Sequence, residues 1–191
     1  MLTGTEAVKL LRKHLKNKEA REHSVAVAKI MEELATRLRM NPEEWQLCGL
    51  LHDLDHEEIQ GDMSKHGLRA AELLEGHLSR ECLQAIRTHD HRMGIPPRSI
   101  IDKALIASDA VTRFLSELKD READKLPRLN SEIYQTTFEE KAFRKLRYLK
   151  ERIEMCREIG VALDDFLSLA QDAFEKKDIP LSKSNLDGNK S

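Results

Sequence analysis

The sequence has few aromatic residues, few cysteines and no apolar run as long as a membrane span. Aromatic residues make up only 4% of its 191 residues, so Leu, Ile, Val, Ala and Met must supply most of any core. Its cysteines are odd in number and lie among apolar residues, which indicates buried free thiols at Cys48, Cys82 and Cys156 rather than a disulfide framework. The first residues lack the apolar centre of a signal peptide, so we expect a cytoplasmic protein.

A strong net charge is also missing. The formal charge is -2, which gives the chain no overall attraction to nucleic acid or to an anionic membrane, and we expect neither partner. The hydrophobic fraction of 40% and the charged fraction of 35% are typical of a folded globular protein and argue against disorder. The length suits one domain of ordinary size.

Helical periodicity runs through most of the chain and no strand pattern stands out, which predicts an all-α fold. We expect residues 1–119 to form a helical core, residues 120–178 to add helices packed on the same domain, and residues 179–191 to be a disordered tail. The predicted helices cover residues 5–15, 19–40, 42–53, 64–77, 79–89, 99–119, 138–159 and 162–177.

Several histidines and aspartates fall on the apolar faces of these helices. His23, His66 and His89 each share a face with aliphatic residues three, four or seven positions away. Asp53 directly follows an apolar run, and Asp109 lies within another. A buried carboxylate is costly unless it is paired, hydrogen-bonded or bound to a metal. Imidazoles and carboxylates together therefore indicate a transition-metal site.

Periodicity alone does not select the ligands of such a site. A single histidine on an apolar face is more often a hydrogen-bonded core residue, and His14 and His77 also follow apolar faces without any indication of a metal role. Asp109 on its own is equally well explained as the salt-bridge partner of Arg113, one helical turn later.

The ordered set of these residues resembles the HD-domain superfamily of metal-dependent phosphohydrolases, and among them the small HDIG-type members. The resemblance covers about residues 15–118. One HD dipeptide is a weak signal, whereas the complete ordered set is a strong one. The resemblance implies a single-domain helical bundle of the HD type. Its segments are REHSVAVAKIMEELA, LCGLLHDLD, SKHGLRAAELL, CLQAIRTHD and KALIASDAVTRFL.

The same resemblance implies which residues bind metal. In that family the first His, the HD pair and the last Asp hold one metal ion, and many members hold a second ion with two further histidines. One or two divalent ions of Fe, Mn, Ni, Co or Zn are expected. The matching positions are His23, His52, Asp53 and Asp109 for the first ion, and His66 and His89 for the second.

The activity implied is hydrolysis of a phosphomonoester or phosphoanhydride by metal-activated water, in a small substrate such as a nucleotide. Asp53 is the expected catalytic carboxylate. His56 takes the place, three residues after the HD pair, where many members carry a lysine that holds phosphate or water. Cations that could hold phosphate oxygens, although each is also readily explained as an exposed helix cation, are Arg21, Lys65, Arg69, Arg92 and Arg113.

Two other functions remain open from the sequence. A phosphodiesterase of cyclic or dinucleoside substrates would use the same ligands, with a pocket shaped by residues 55–65 and 91–99. A non-catalytic, HD-related signalling module would usually have lost part of the ligand set, which this chain keeps. The sequence leaves open the natural substrate, the native metal and whether the protein forms a homo-oligomer.

Overall fold

The computed structural model describes residues 2–175, and these residues form helices joined by turns, with no strand among them. The predicted all-α class is thereby confirmed. The tail expected at 179–191 lies outside the described residues. In chain order the α-helices of the described part are α1 (Gly4–His14), α2 (Lys18–Arg37), α3 (Pro42–Leu51), α4 (Leu68–Leu73), α5 (Arg80–Thr88), α6 (Ile100–Glu122), α7 (Ser131–Glu139), α8 (Tyr148–Glu154) and α9 (Leu163–Glu175).

Most helices begin where the sequence predicts, and at these starts the predicted capping side chains form their hydrogen bonds. The side-chain oxygen of Asn41 accepts a hydrogen bond from the N–H of Glu44, and Pro42 occupies the first turn of α3. Ser99 and Asp102 form a capping box at the start of α6, the helix that carries Asp109. Local sequence therefore fixes where the site-bearing helices begin.

The fourth predicted helix is wrong at both ends. Ser64 does not cap it, because its hydroxyl donates to the carboxylate of Asp62 within a loop. The chain instead turns at Gly67, with a φ of 75°, and α4 begins at the next residue. A distant carboxylate supplies the cap: Asp55 accepts hydrogen bonds from the N–H groups of Gly67, at 2.7 Å, and Ala70, at 3.0 Å.

The continuous helix predicted at 138–159 is also wrong. The structure has α7 and α8 instead, separated by a 3₁₀ turn at Lys141–Leu146. Phe138 and Phe143 both contact the ring of Phe114 on α6, and their ring centroids lie 5.0 Å and 6.2 Å, respectively, from the centroid of Phe114. Residues five apart point about 140° away from each other on one α-helix. A straight helix could not place both rings on Phe114, and the turn does so.

Helix α6 is the central helix of the described part, because α2, α5, α8 and α9 all pack against it. Helices α2 and α3 approach each other closely at Gly49, where a Cβ atom would lie 2.9 Å from the Cα of Ala28. One continuous cluster of buried apolar side chains extends from α1 to α9. None of the helices within residues 2–175 is both long and apolar enough to cross a membrane.

The three cysteines are free and buried, as predicted. Burial raises the pKa of the Cys156 thiol to about 11, and a hydrogen bond with Cys82 together with burial raises the pKa of Cys48 well above its ordinary value. The thiols of Cys48 and Cys156 are therefore protonated at neutral pH and behave as small apolar core residues.

Candidate metal centre

The six predicted metal ligands lie close together, although they come from five separate segments of the chain. Five of them are buried and the sixth, His23, is half-buried. In chain order, His23 lies on α2, His52 and Asp53 follow α3, His66 precedes α4, His89 follows α5 and Asp109 lies on α6.

Asp53 lies at the centre of this cluster. Its Oδ1 atom is 3.3 Å from Nε2 of His52, 3.2 Å from Nε2 of His66 and 3.3 Å from Nε2 of His89. Its Oδ2 atom is 3.9 Å from Nε2 of His23. Both carboxylate oxygens of Asp53 therefore face imidazole nitrogens, which is the arrangement that a bridging ligand needs.

The tautomers of three histidines follow from their hydrogen bonds. The Nδ1 atoms of His52 and His89 each lie 2.7 Å from a backbone carbonyl oxygen three residues earlier. A carbonyl oxygen can only accept, so each Nδ1 carries a proton and donates it. The Nδ1 atom of His66 donates in the same way to the carboxylate of Asp55, at 2.9 Å. In the neutral form of these rings the Nε2 lone pairs are free and point toward Asp53.

Two of the atoms at the centre of the cluster lack hydrogen-bond partners in the described part of the chain, and two others must share a proton. Nε2 of His52 and Oδ1 of Asp53 form no hydrogen bond within residues 2–175, although both are buried. Nε2 of His66 and Nε2 of His89 lie 3.1 Å apart, where they can share only one proton. Unsatisfied buried polar atoms are rare and cost about 1–3 kcal/mol each. A cation at this point would satisfy all four atoms, and a divalent transition metal fits this set of donors.

The spacing of the ligand atoms suits one metal ion or two. His23, His52 and Asp109 form one group whose ligand atoms all lie within 4.8 Å of one another. His52, Asp53 and His89 form a second group that meets the same limit. The two groups share His52, so they are neighbours, and because Nε2 of His52 has a single lone pair it would bind an ion of only one group.

Electrostatics sets the charge of the cluster. Burial lowers the pKa of His52 to about 4, so this imidazole is neutral at pH 7. Burial alone would raise the pKa of Asp53, but the surrounding histidines hold it well below its ordinary value. Burial also lowers the pKa of His66, but the neighbouring carboxylates of Asp53 and Asp55 outweigh it and bring the pKa to about 10. In the metal-free protein the imidazole of His66 is therefore protonated at pH 7.

Asp109 is held at both carboxylate oxygens. Its Oδ1 atom lies 3.0 Å from Nε2 of His23 and 2.8 Å from Nε of Arg113. Its Oδ2 atom accepts a hydrogen bond from Arg152 at 3.1 Å. Burial raises the pKa of Asp109, but the opposing effect of Arg113 and His23 is larger and holds the pKa well below its ordinary value. The carboxylate therefore stays ionised. The ion pair with Arg113 that the sequence offered as an alternative thus coexists with the cluster of metal ligands.

Two of the five predicted phosphate-binding cations lie at this site. Arg113 pairs with Asp109 and comes within 3.9 Å of Oδ2 of Asp53. Arg92 pairs with Asp90 through both of its carboxylate oxygens. Both arginines line a cavity that two of the predicted ligands, His89 and Asp109, line as well.

The other three predicted cations have partners elsewhere. The guanidinium of Arg21 donates to the backbone carbonyl oxygens of residues 15 and 16 at the end of α1. Lys65 pairs with Asp62 at 2.8 Å, and Arg69 pairs with two glutamates. His56 is exposed, and its ring centroid lies 6.0 Å from that of His66, at the edge of the cluster.

A cavity of about 400 Å³ opens beside the cluster. A second cavity, of about 340 Å³, reaches the cluster at His23. Three carboxylates and one cation line it, from Glu19, Glu22, Asp120 and Lys119, so its charge is unfavourable for an anion. The first cavity is the better site for a phosphorylated ligand because arginines line it. Its walls are His89, Asp90, His91, Arg92, Asp109, Arg113, Tyr148, Leu149 and Arg152.

The residues predicted for the site do not include two that the structure places there, Asp55 and Arg152. Asp55 is fully buried and orients the ring of His66, but it lies in a polar segment that gave no periodic signal. Arg152 did carry a signal in the sequence, because Leu149 and Cys156 lie three residues before it and four residues after it, the spacing that the histidines have from the core residues of their helices.

Comparison with known families agrees with this geometry. Residues 20–114 match the family model of the HD domain, and this segment contains all six clustered ligands. The chain therefore belongs to the HD-domain superfamily, as its motifs predict, and members of that superfamily are generally metal-dependent hydrolases. No protein of curated function matches the sequence.

Proposed function

We propose that this protein is a metal-dependent phosphohydrolase that acts on a small phosphorylated molecule such as a nucleotide. One observation carries the proposal: the Nε2 atoms of three histidines lie within 3.3 Å of Oδ1 of Asp53, and two of these four atoms have no hydrogen bond to any described residue. A structural core would leave such atoms uncompensated. A metal site explains why they meet.

The residues proposed to hold metal are the six of the cluster. A divalent ion held there lowers the pKa of bound water toward 7 and neutralises phosphate oxygens. Asp53 keeps both carboxylate oxygens toward the histidines, so we assign it the central role in catalysis. His56, exposed at the edge of the cluster, is proposed to contact the phosphate or the water.

The arginine-lined cavity supports the choice of substrate. Its volume of about 400 Å³ lies within the range of small-molecule sites. Arg113 and Arg92 present guanidinium groups there, and guanidinium groups bind phosphate oxygens through paired hydrogen bonds. Tyr148, half-exposed, lies on the same wall and offers a hydroxyl and a ring face. A phosphorylated molecule with a ring system, such as a nucleotide, fits these groups.

Metal reconstitution tests the proposal. We expect the purified protein to contain Fe, Mn, Ni, Co or Zn, to lose phosphatase activity on chelation, and to regain it with one of these ions. The substrate panel should contain nucleoside mono-, di- and triphosphates, a cyclic nucleotide, a dinucleotide, and aryl phosphate mono- and diesters.

Hydrolysis of the diesters alone would favour the phosphodiesterase instead. Metal binding without hydrolysis of any of these compounds would favour the signalling module, and failure to bind any metal would contradict a metal centre.

Metal binding should release a proton. His66 has a pKa of about 10 in the metal-free protein, so it is protonated at pH 7.5, and a metal ion needs the lone pair on its Nε2. The apparent affinity should therefore rise by about tenfold per pH unit below pH 10, as expected when an ion displaces one proton. Calorimetry in buffers with different ionisation enthalpies would show the release of about one proton.

His77 provides the control for this titration, because it is exposed and lies outside the cluster. His77→Gln should release the same number of protons as the wild type, whereas His66→Gln should release fewer. Heats of binding that do not depend on the buffer would contradict the assignment of the proton to His66.

A further inference from the structure

We infer that Arg152 is a positioning residue, which orients Asp109 for metal binding and so makes the metal centre depend on the C-terminal helices. The inference rests on the proposed function. Arg152 lies on α8, beyond the segment that matches the HD family model, which ends at residue 114. Its guanidinium nevertheless reaches two segments that carry metal ligands.

The contacts of Arg152 are short and almost completely buried. Its Nη2 atom donates to the backbone carbonyl oxygen of His89 at 2.7 Å and to Oδ2 of Asp109 at 3.1 Å. Its Nη1 atom lies 3.0 Å from Nδ1 of His91. Only 9% of the residue is exposed. One side chain of α8 thus joins the end of α5 to the middle of α6.

The two oxygens of the Asp109 carboxylate have different partners. Oδ2 is occupied by Arg152, while Oδ1 faces His23 at 3.0 Å and accepts a hydrogen bond from Arg113 at 2.8 Å. Arg113 and Arg152 thus hold the carboxylate at opposite oxygens, and rotation of the carboxylate would break the hydrogen bond to Arg152, so Oδ1 stays directed into the cluster. Hydrogen bonds to the second oxygen of a ligating carboxylate orient it in this way, and removing such a partner typically weakens metal binding by about 10–100-fold.

Charge and position make opposite predictions for this residue. A buried guanidinium repels a metal ion, so if Arg152 acted only through its charge, its removal would strengthen metal binding. If Arg152 only packed α8 against the bundle, its removal would lower thermal stability and leave the affinity of the folded protein unchanged. Positioning predicts a weaker affinity. The direction of the change therefore separates the three roles.

The experiment is a titration of metal-free protein with Co²⁺ at a temperature where every variant is folded. Arg152→Met keeps an unbranched side chain that reaches as far as Nε of the arginine and removes all donors, and its affinity should fall by about 10–100-fold. Arg152→Lys keeps the charge but cannot reproduce the planar fork of donors, so its affinity should lie between those of the methionine variant and the wild type. The visible spectrum of bound Co²⁺ should change in both variants, because it reports the arrangement of the ligands.

Arg147 supplies a matched control on the adjoining turn. Its guanidinium donates to the backbone carbonyl oxygen of Phe138 and pairs with Glu139, and it does not line the arginine-lined cavity. Arg147→Met should bind Co²⁺ as the wild type does, even if its thermal stability falls.

The outcomes separate this inference from the proposed function. Wild-type or tighter affinity in Arg152→Met, with an unchanged spectrum, would overturn the positioning role and leave the metal centre intact. If Arg152→Met does not fold, wild-type binding and an unchanged spectrum in Arg152→Lys would overturn the role. A wild-type protein that binds no metal would overturn the proposed function and this inference together.

Discussion

Replacing Asp53 with asparagine is expected to abolish metal binding and to lower the rate of phosphate hydrolysis by about 1,000-fold or more. Oδ1 of Asp53 lies within 3.3 Å of the Nε2 atoms of all three histidines, His52, His66 and His89. An amide lacks the charge needed to bridge metal ions. Metal ions contribute several kcal/mol to such reactions, and each 1.36 kcal/mol is a factor of ten in rate.

The fold should survive this substitution. Asparagine has the same shape as aspartate, and its amide hydrogens can be donated to imidazole lone pairs that metal would otherwise occupy. Far-ultraviolet circular dichroism should therefore match that of the wild type, while elemental analysis finds no bound metal. Asp62→Asn is the matched control, since Asp62 is exposed and pairs only with nearby loop residues. Wild-type hydrolysis by Asp53→Asn would refute the proposed centre.

Substitution of Gly67 by alanine should damage both the fold and the metal centre. Gly67 has a φ of 75°, which side-chain-bearing residues rarely adopt. A Cβ atom there would lie 2.5 Å from the carbonyl oxygen of Ile86 and 3.2 Å from the ring of His89. That carbonyl oxygen accepts the hydrogen bond that fixes the tautomer of His89. The new methyl group would therefore displace both the ring of His89 and the carbonyl oxygen of Ile86 that holds it.

Gly76 isolates the steric part of this effect. Its φ of 78° is nearly the same, but a Cβ atom at Gly76 would meet nothing within 4 Å. Gly76→Ala should cost about 1 kcal/mol in the free energy of unfolding from backbone strain alone. Gly67→Ala should cost a further 1–3 kcal/mol, roughly the penalty of overpacking, and should also weaken metal binding. Chemical denaturation measures the first quantity and Co²⁺ titration the second. Equal effects of both substitutions on the two measurements would contradict the proposed clash.

The sequence predicted the helices that carry the ligands because their starts are local. The Asn41 and Ser99 caps and the apolar stripes are encoded within a few residues, and the structure contains them. The start of α4 was not predictable in this way, since its cap comes from Asp55, twelve or more residues earlier. The break between α7 and α8 depends on the shared contact with Phe114, which periodicity within one segment does not reveal.

The candidate site shows the same division between local and long-range information. The six ligands were selected by the resemblance to HD-domain proteins, and apolar periodicity only indicated that several of them point inward. Arg92 and Arg113 come near the cluster because they lie close in sequence to His89 and Asp109. Arg152 is separated from Asp109 by 43 positions and was missed, because only tertiary packing of α8 on α6 brings the two together.

Asp55 ties the chemistry of the centre to the architecture around it. One of its oxygens orients the ring of His66, and the other holds the backbone at the start of α4. A substitution at this position cannot adjust how tightly an ion is held without also loosening the helix. Substitutions that change the preference for one metal over another are therefore expected at residues that do not also hold a helix start. Asp55 itself can be replaced only if other groups supply both the hydrogen bond to His66 and the hydrogen bonds at the start of α4.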